Sequence, residues 1–192
     1  MEFTGERCMP KLGLGNVEEH IAIYNASLPH ISGKFVLDIA SGSGWGTHLL
    51  ASKGAAYVIG VDISEEAIDY ANTEYPGDNH AFVKGNILNI PFPNNIFQIV
   101  NTIETFEHVK HDEIDKLISE CCRVLRPGGL WLFSSPDGSI FPYHPCGPFE
   151  YRGWHFWHYT INELYELLRP KFQKVEVRKL EIGGSNFVIC VK

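Results

Sequence analysis

Residues 36–46, VLDIASGSGWG, decide how this chain is read: an apolar run of strand character breaks into Gly42-x-Gly44-x-Gly46. A glycine loop at the end of a strand lets the backbone approach a ligand closely. It also aims the amides of the following helix at that ligand. Asp38 closes the strand, with a carboxylate near the loop. A second apolar run, Ala56–Asp62, ends in another acid twenty residues after Gly42. An acid there can accept hydrogen bonds from ribose hydroxyls. A dinucleotide fingerprint would require glycines at 42, 44 and 47, but position 47 is Thr47, which argues against a nicotinamide or flavin enzyme.

Outward from this loop, strand and helix patterns alternate. Phe35–Ala40 is followed by the helical stretch THLLASKG and then by Ala56–Asp62. Ser64 is placed to cap a helix carrying Ala67, Ile68, Ala71 and Tyr75 on one face. Strands are expected at His80–Lys84 and Ile96–Ile103. Ile114, Leu117, Ile118, Cys121, Val124 and Leu125 then keep helical spacing up to Pro127-Gly128-Gly129, which is expected to end that helix. Leu130–Ser134 reads as the next strand. Such alternation predicts a parallel sheet covered by helices on both faces. Near the end, Thr160-Ile-Asn-Glu163 resembles a capping box that opens a helix to about Arg169. Lys174–Glu181 and Asn186–Lys192 read as two strands joined at Gly183-Gly184. The first 31 residues are expected to form an arm and one helix, around Val17–Ser27.

Composition narrows the field. The 192 residues suit one domain with one sizeable core. A net charge of −7 argues against non-specific nucleic-acid binding, which relies on an excess of Lys and Arg. The five cysteines include no Cys-x-x-Cys pair and are odd in number, which fits reduced thiols and a cytoplasmic protein. No apolar run approaches the roughly 18 residues of a membrane span, and MEFTGERCMP does not resemble a signal peptide.

Five segments taken together, VLDIASGSGWG, GVDIS, GNILNIPF, IETFEHV and RVLRPGG, resemble class I S-adenosylmethionine-dependent methyltransferases over residues 34–135. The opening FTGERCMP and the Glu19-His20 helix resemble a bacterial branch of methyltransferase domains. The resemblance implies an α/β fold: a doubly wound, mostly parallel seven-stranded sheet with a C-terminal antiparallel pair and helices on both faces. It implies a cofactor, S-adenosylmethionine. Asp38 and the backbone of Ala40, Ser41, Gly42 and Gly44 would hold its methionine part. Asp62 would take the ribose, Ile63 would pack on the adenine, and Asn86 with the Ile87 amide would meet the adenine edge. Backbone at Ile103 would face the amino group. Three positions depart from the family pattern: Ala40 stands for a frequent Gly, Asn86 for Asp and Gln98 for Asp.

On the acceptor side, Glu104-Thr-Phe-Glu107-His108 supports three readings. It is a strand-to-helix connection with no specific chemistry, or it supplies a catalytic base in Glu107 or His108. Alternatively, Glu104, Glu107 and His108 join His155 in holding a divalent metal, a set similar to the motif of 2′-hydroxyl RNA methyltransferases. Residues 135–159 form a long segment rich in proline, histidine and aromatics, expected to be an acceptor-side loop. Its Phe141, Tyr143, Phe149, Tyr151, Trp154, Phe156, Trp157 and Tyr159 divide between core packing and an apolar pocket. His144, His155 and His158 are candidate polar groups there, and Arg7, His20 and Tyr24 are those of an N-terminal lid. The resulting expectation is methyl transfer to oxygen or nitrogen of a small-molecule acceptor. A metal-assisted RNA methyltransferase and a non-catalytic cofactor-binding partner protein stand as alternatives. Neither acceptor identity nor oligomeric state is written in the sequence.

Overall fold

A computed structural model describes residues 8–13, 15–140, 155–181 and 183–192. Among these residues, seven strands form one sheet in the order β3-β2-β1-β4-β5-β7-β6. They are β1 (Phe35–Ile39), β2 (Tyr57–Asp62), β3 (His80–Lys84), β4 (Phe97–Thr102), β5 (Leu125–Pro136), β6 (Lys174–Lys179) and β7 (Ser185–Val191). The pairings from β3 to β5 are parallel, while β7 runs antiparallel to both β5 and β6. This is the doubly wound, mostly parallel sheet with a C-terminal antiparallel pair that the family resemblance implies.

Alternating side chains send apolar groups to both faces. Val36, Ile99 and Leu132 pack under α1 (Val17–Ile31) and α2 (Trp45–Ser52), against Ile23, Ile31 and Leu50. Leu37, Val100, Trp131 and Phe133 face α4 (Ile114–Val124) and α5 (Ile161–Leu168), meeting Leu117, Cys121, Leu164 and Leu168. On the side of β3, α3 (Glu65–Glu74) adds Ile68 and Ala71 against Phe82. Ser64 caps α3 through the Ala67 amide at 3.2 Å. The Thr160 capping box opens α5, as its sequence indicates.

Several boundaries differ by a residue or two from the sequence expectation, and four differences bear on the fold or the site. Helix α1 continues past Ser27 to Ile31 with Pro29 inside its last turn. A proline there forgoes one backbone bond, and Ile31, fully buried, anchors the turn to the core. Helix α4 ends at Val124, and the Pro127-Gly128-Gly129 turn belongs to the sheet. Leu125 pairs with Phe97 and Leu130 with Ile99, so the residues between bulge out. Gly128 sits at φ +75°, while a Cβ on Gly129 would lie 2.9 Å from the Arg126 carbonyl and 3.0 Å from that of Gln98. The acceptor-side segment begins later than Ser135, because Ser135 and Pro136 pair with Asn186 and Ser185. Strand β6 stops at Lys179, short of Glu181.

The winding direction reverses between β1 and β4. Strands β1 to β3 step one way across the sheet, and β4 and β5 step the other. Ligands of open α/β sheets bind at the carboxyl ends of the strands beside such a switch point. Among the described residues, no helix is long and apolar enough to cross a membrane.

Candidate cofactor cleft and acceptor side

At the switch point a cleft of about 390 Å³, partly open solvent, is lined by the glycine loop (Ala40–Ser43), Trp45, Ile103 and Glu104. Cys8 and the α1 residues His20 and Tyr24 complete it. The loop enters α2 through Gly44 at φ +84°, where a Cβ would lie 2.5 Å from that of Ala71 and 2.8 Å from the Phe82 ring. Ala40 also adopts the left-handed region, at φ +56°, although it carries a Cβ. The departure from Gly at position 40 therefore leaves local strain in the loop.

Asp62 clamps the loop from the neighbouring strand. One carboxylate oxygen accepts from the Gly42 amide at 2.8 Å and the other from the Ser64 amide at 2.9 Å. Beyond it lies Ile63, an apolar side chain left 66% exposed, which is the kind of surface an aromatic base can cover. Asn86 accepts from the Leu88 amide at 2.8 Å, turning the chain so that Asn86 and Ile87 follow the end of β3. Ser41 Oγ, a hydroxyl in the cleft wall, is buried without a hydrogen-bond partner. Buried polar atoms are normally paired, so this one fits a polar ligand. Gln98 stands at the far end of β4 and accepts from the Phe35 amide at 3.0 Å.

Asp38 is fully buried and accepts from Thr47 Oγ1 at 2.7 Å, Asn101 Nδ2 at 2.8 Å and the Tyr24 hydroxyl at 3.3 Å. Burial pushes its carboxyl up to about 6, against the pull of these three donors. The Tyr24 phenol is held well above its ordinary range, first by burial and then by the Asp38 charge. Asn101 lies in register with Asp38 across β1 and β4, and it accepts from Ser27 of α1 at 2.7 Å. Asp38 thus ties α1, α2 and β4 together beneath the glycine loop. The sequence reading did not single out Thr47 or Asn101 for this role. Their signal is a polar residue in an apolar pattern: Asn101 within FQIVNT, and Thr47 three residues into the helix.

The four residues of the candidate metal set separate. Glu107, His108 and His155 offer ligand atoms that lie within 4.8 Å of one another, and Glu104 is not in that group. At φ +46° the Glu104 backbone is left-handed, and its carboxylate accepts from Ser134 Oγ at 2.6 Å in the wall of the cofactor cleft. Burial raises the Glu104 carboxyl, opposed by Ser134 and by the nearby His20 imidazole. Glu107 is buried, its carbonyl accepts from the Phe156 amide at 2.7 Å, and the His108 and His155 rings meet edge-on at 4.8 Å. His155 Nδ1 and His158 Nε2 are 2.7 Å apart. Of the loop aromatics, Tyr159 is core, meeting Phe106 at 5.1 Å, and Trp157 stacks on His111 at 4.6 Å. Phe156 stays 39% exposed. Arg7, Phe141, Tyr143, His144, Phe149, Tyr151 and Trp154 lie outside the described residues.

A doubly wound sheet with this terminal pair, a glycine loop clamped by the acid of the next strand and no dinucleotide spacing defines the class I S-adenosylmethionine-dependent methyltransferases. Comparison with known proteins agrees: a methyltransferase domain family matches residues 37–133. The chain belongs to that family. A probable S-adenosylmethionine-dependent methyltransferase of Mycolicibacterium smegmatis is 32% identical over 181 residues, covering 92% of this chain and 66% of the relative. An uncharacterized methyltransferase of Synechocystis is 30% identical over 189 residues, covering 93% and 84%. Among solved structures, a Pyrococcus horikoshii protein superposes with a TM-score of 0.77 at 23% identity, covering 91% of this chain and 89% of its own. The match spans less than two thirds of the length of some relatives, 56% of one from Mycobacterium tuberculosis.

Proposed function

We propose that this protein transfers the methyl group of S-adenosylmethionine to an oxygen or nitrogen atom of a small-molecule acceptor by direct displacement. The observation that carries the reading is the Asp62–Gly42 clamp beside the cleft at the β1/β4 switch point. In this reading Asp62 receives the ribose hydroxyls, Ile63 packs on the adenine, and Asn86 with the Ile87 amide meets its edge. The Ala40–Gly44 backbone and Ile103 hold the methionine end, and Asp38 fixes the loop from beneath. The sulfonium of the donor supplies an already activated methyl group. The chain's own task is then chiefly to align the acceptor with it. Glu107 and His108, placed just past β4, are the groups we assign to receive a proton from the acceptor. The acidic net charge supports a small acceptor over RNA.

Calorimetry with S-adenosylhomocysteine tests the donor site, and turnover of a labelled methyl group on a panel of hydroxyl and amine acceptors tests the transfer. Binding without turnover on any acceptor would favour a cofactor-binding partner protein. Turnover confined to RNA ends would favour the 2′-hydroxyl reading.

A second reading, metal assistance, is favoured by the grouping of Glu107, His108 and His155. Two donors on one ion at about 2.1 Å each can be at most about 4.2 Å apart, whereas these atoms reach up to 4.8 Å. The three side chains would therefore have to close by a few tenths of an ångström to share an ion. Such an ion would lower the proton affinity of an oxygen acceptor. Activity unchanged by chelation and by Glu107→Gln would remove this reading.

A further inference from the structure

The cleft contains a carboxylate that neither the ribose clamp nor the loop-fixing network uses. Glu104 follows the end of β4 in a left-handed conformation that costs a residue with a Cβ about 1–2 kcal/mol. Its amide donates to Ser134 Oγ at 2.8 Å, and the same hydroxyl donates to its Oε1 at 2.6 Å. This closed clamp keeps the carboxylate in the cleft wall. Backbone strain held in place by a dedicated partner points from the outlier toward function.

This partly exposed but desolvated carboxylate is held as an anion most strongly by a cation placed beside it. No lysine or arginine lines the cleft among the described residues, and His20 is the one basic side chain there. His20 Nδ1 stands 2.9 Å from the Asn16 carbonyl, an acceptor only, so Nδ1 carries a proton. Glu19, which lies close enough to oppose ionisation of Glu104, adds a like charge. The other acids of the region have roles of their own: Asp38 holds Thr47, Asn101 and Tyr24 beneath the loop, and Asp62 clamps the Gly42 and Ser64 amides on the side assigned to the ribose.

Resting on the donor reading above, we infer that the Glu104 side chain, clamped by Ser134, is the counter-charge for the α-ammonium of the donor's methionine end. It adds a side-chain anion to the backbone acceptors of the loop and of Ile103. The site thereby selects donors that keep the amino-acid end over nucleosides that lack it.

The test is calorimetry on wild-type protein and Glu104→Gln with two ligands. S-adenosylhomocysteine carries the ammonium, while 5′-methylthioadenosine shares the nucleoside and thioether without it. The glutamine keeps an oxygen for Ser134 and removes only the charge. S-adenosylhomocysteine is expected to bind the variant about 10–100-fold more weakly, the range of a hydrogen bond to a charged group. Methylthioadenosine should change less than twofold. Equal losses for both ligands would make Glu104 structural and overturn the inference, as would no loss for either. A measurement on wild-type protein alone guards against a variant that fails to fold. There the deaminated analogue of S-adenosylhomocysteine should lose at least tenfold, and equal affinity would overturn the assignment. Failure of wild-type protein to bind S-adenosylhomocysteine or methylthioadenosine would overturn the donor reading itself, a result distinct from either of these.

Discussion

Replacing Asp38 with asparagine should stabilise the protein at neutral pH and leave it nearly unchanged in mild acid. The carboxyl is fully buried and its folded value is raised to about 6, against about 3.9 in an unfolded chain. A raised folded value means that the folded state holds the proton more tightly. The favourable contribution is complete below about pH 4 and is lost as pH rises through about 6. Two units at about 1.4 kcal/mol each give about 3 kcal/mol of stability lost by pH 7. An asparagine carries no charge to desolvate, and its geometry suits the site. Its oxygen can accept from Asn101 Nδ2, and its amide can donate to the Thr47 and Tyr24 hydroxyls, which are free to reverse roles. Urea unfolding of wild type and Asp38→Asn between pH 4 and 8 isolates the effect, because other titrating groups cancel in the difference. That difference should grow in favour of the variant by about 2 kcal/mol from pH 4 to pH 7. A difference that stays flat with pH, or that grows in favour of wild type, would refute the argument.

Three further outcomes follow from the same region. Ala40→Gly relieves a left-handed residue worth about 1–2 kcal/mol but adds about 0.5–1 kcal/mol of backbone entropy. A net gain of about 0.5–1 kcal/mol should raise the thermal midpoint by about 2 °C. Gly46→Ala pits about 1 kcal/mol of helix propensity against a Cβ driven into the Tyr24 ring. That ring is buried and bonded to Asp38, so the clash wins, and destabilisation of about 1–3 kcal/mol should appear in urea unfolding. The third concerns His48, whose imidazole is held below its ordinary value by burial and then by His80 and Lys11. Its neutral form is favoured in the fold, so its contribution is present above about pH 6.5 and lost as pH falls through the lower folded value. Wild type should therefore lose more thermal stability between pH 7 and pH 5 than His48→Gln, and equal losses would show that His48 is not responsible.

The parts of the fold that were legible in the sequence are those fixed by neighbours along the chain. Ser64 before α3, the Thr160–Glu163 box before α5 and the glycine turn after β1 each act over three or four residues, and each stands where its pattern puts it. The Pro127-Gly128-Gly129 stretch misleads because the same residues can end a helix or bulge a strand. Here Phe97 decides, by pairing with Leu125 across the sheet. The Asp38 network was hidden for the same reason. Asn101 reaches Asp38 only because β1 and β4, far apart in sequence, lie in register. Thr47, which breaks the dinucleotide spacing, supplies the shortest of the three bonds to Asp38.

Glu104 shows how spacing and backbone can disagree within five residues. Read as a string, Glu-x-x-Glu-His is one acidic-histidine unit. The left-handed turn at Glu104 and the short 3-10 turn Phe106–His108 send its members to two places. Glu104 joins Ser134 in the wall of the cofactor cleft, while Glu107 and His108 meet the returning segment at His155 and Phe156. The left-handed backbone at Glu104 costs about 1–2 kcal/mol. Its retention makes sense if one short connection must serve both sides of a transfer. One acid then answers the charge of the donor, and the other, with its histidine partners, is left for the acceptor. On this argument substitutions at 104 should act mainly on donor affinity and those at 107 mainly on turnover. Equal effects of both on the two quantities would show that the connection works as the single unit its spacing suggests.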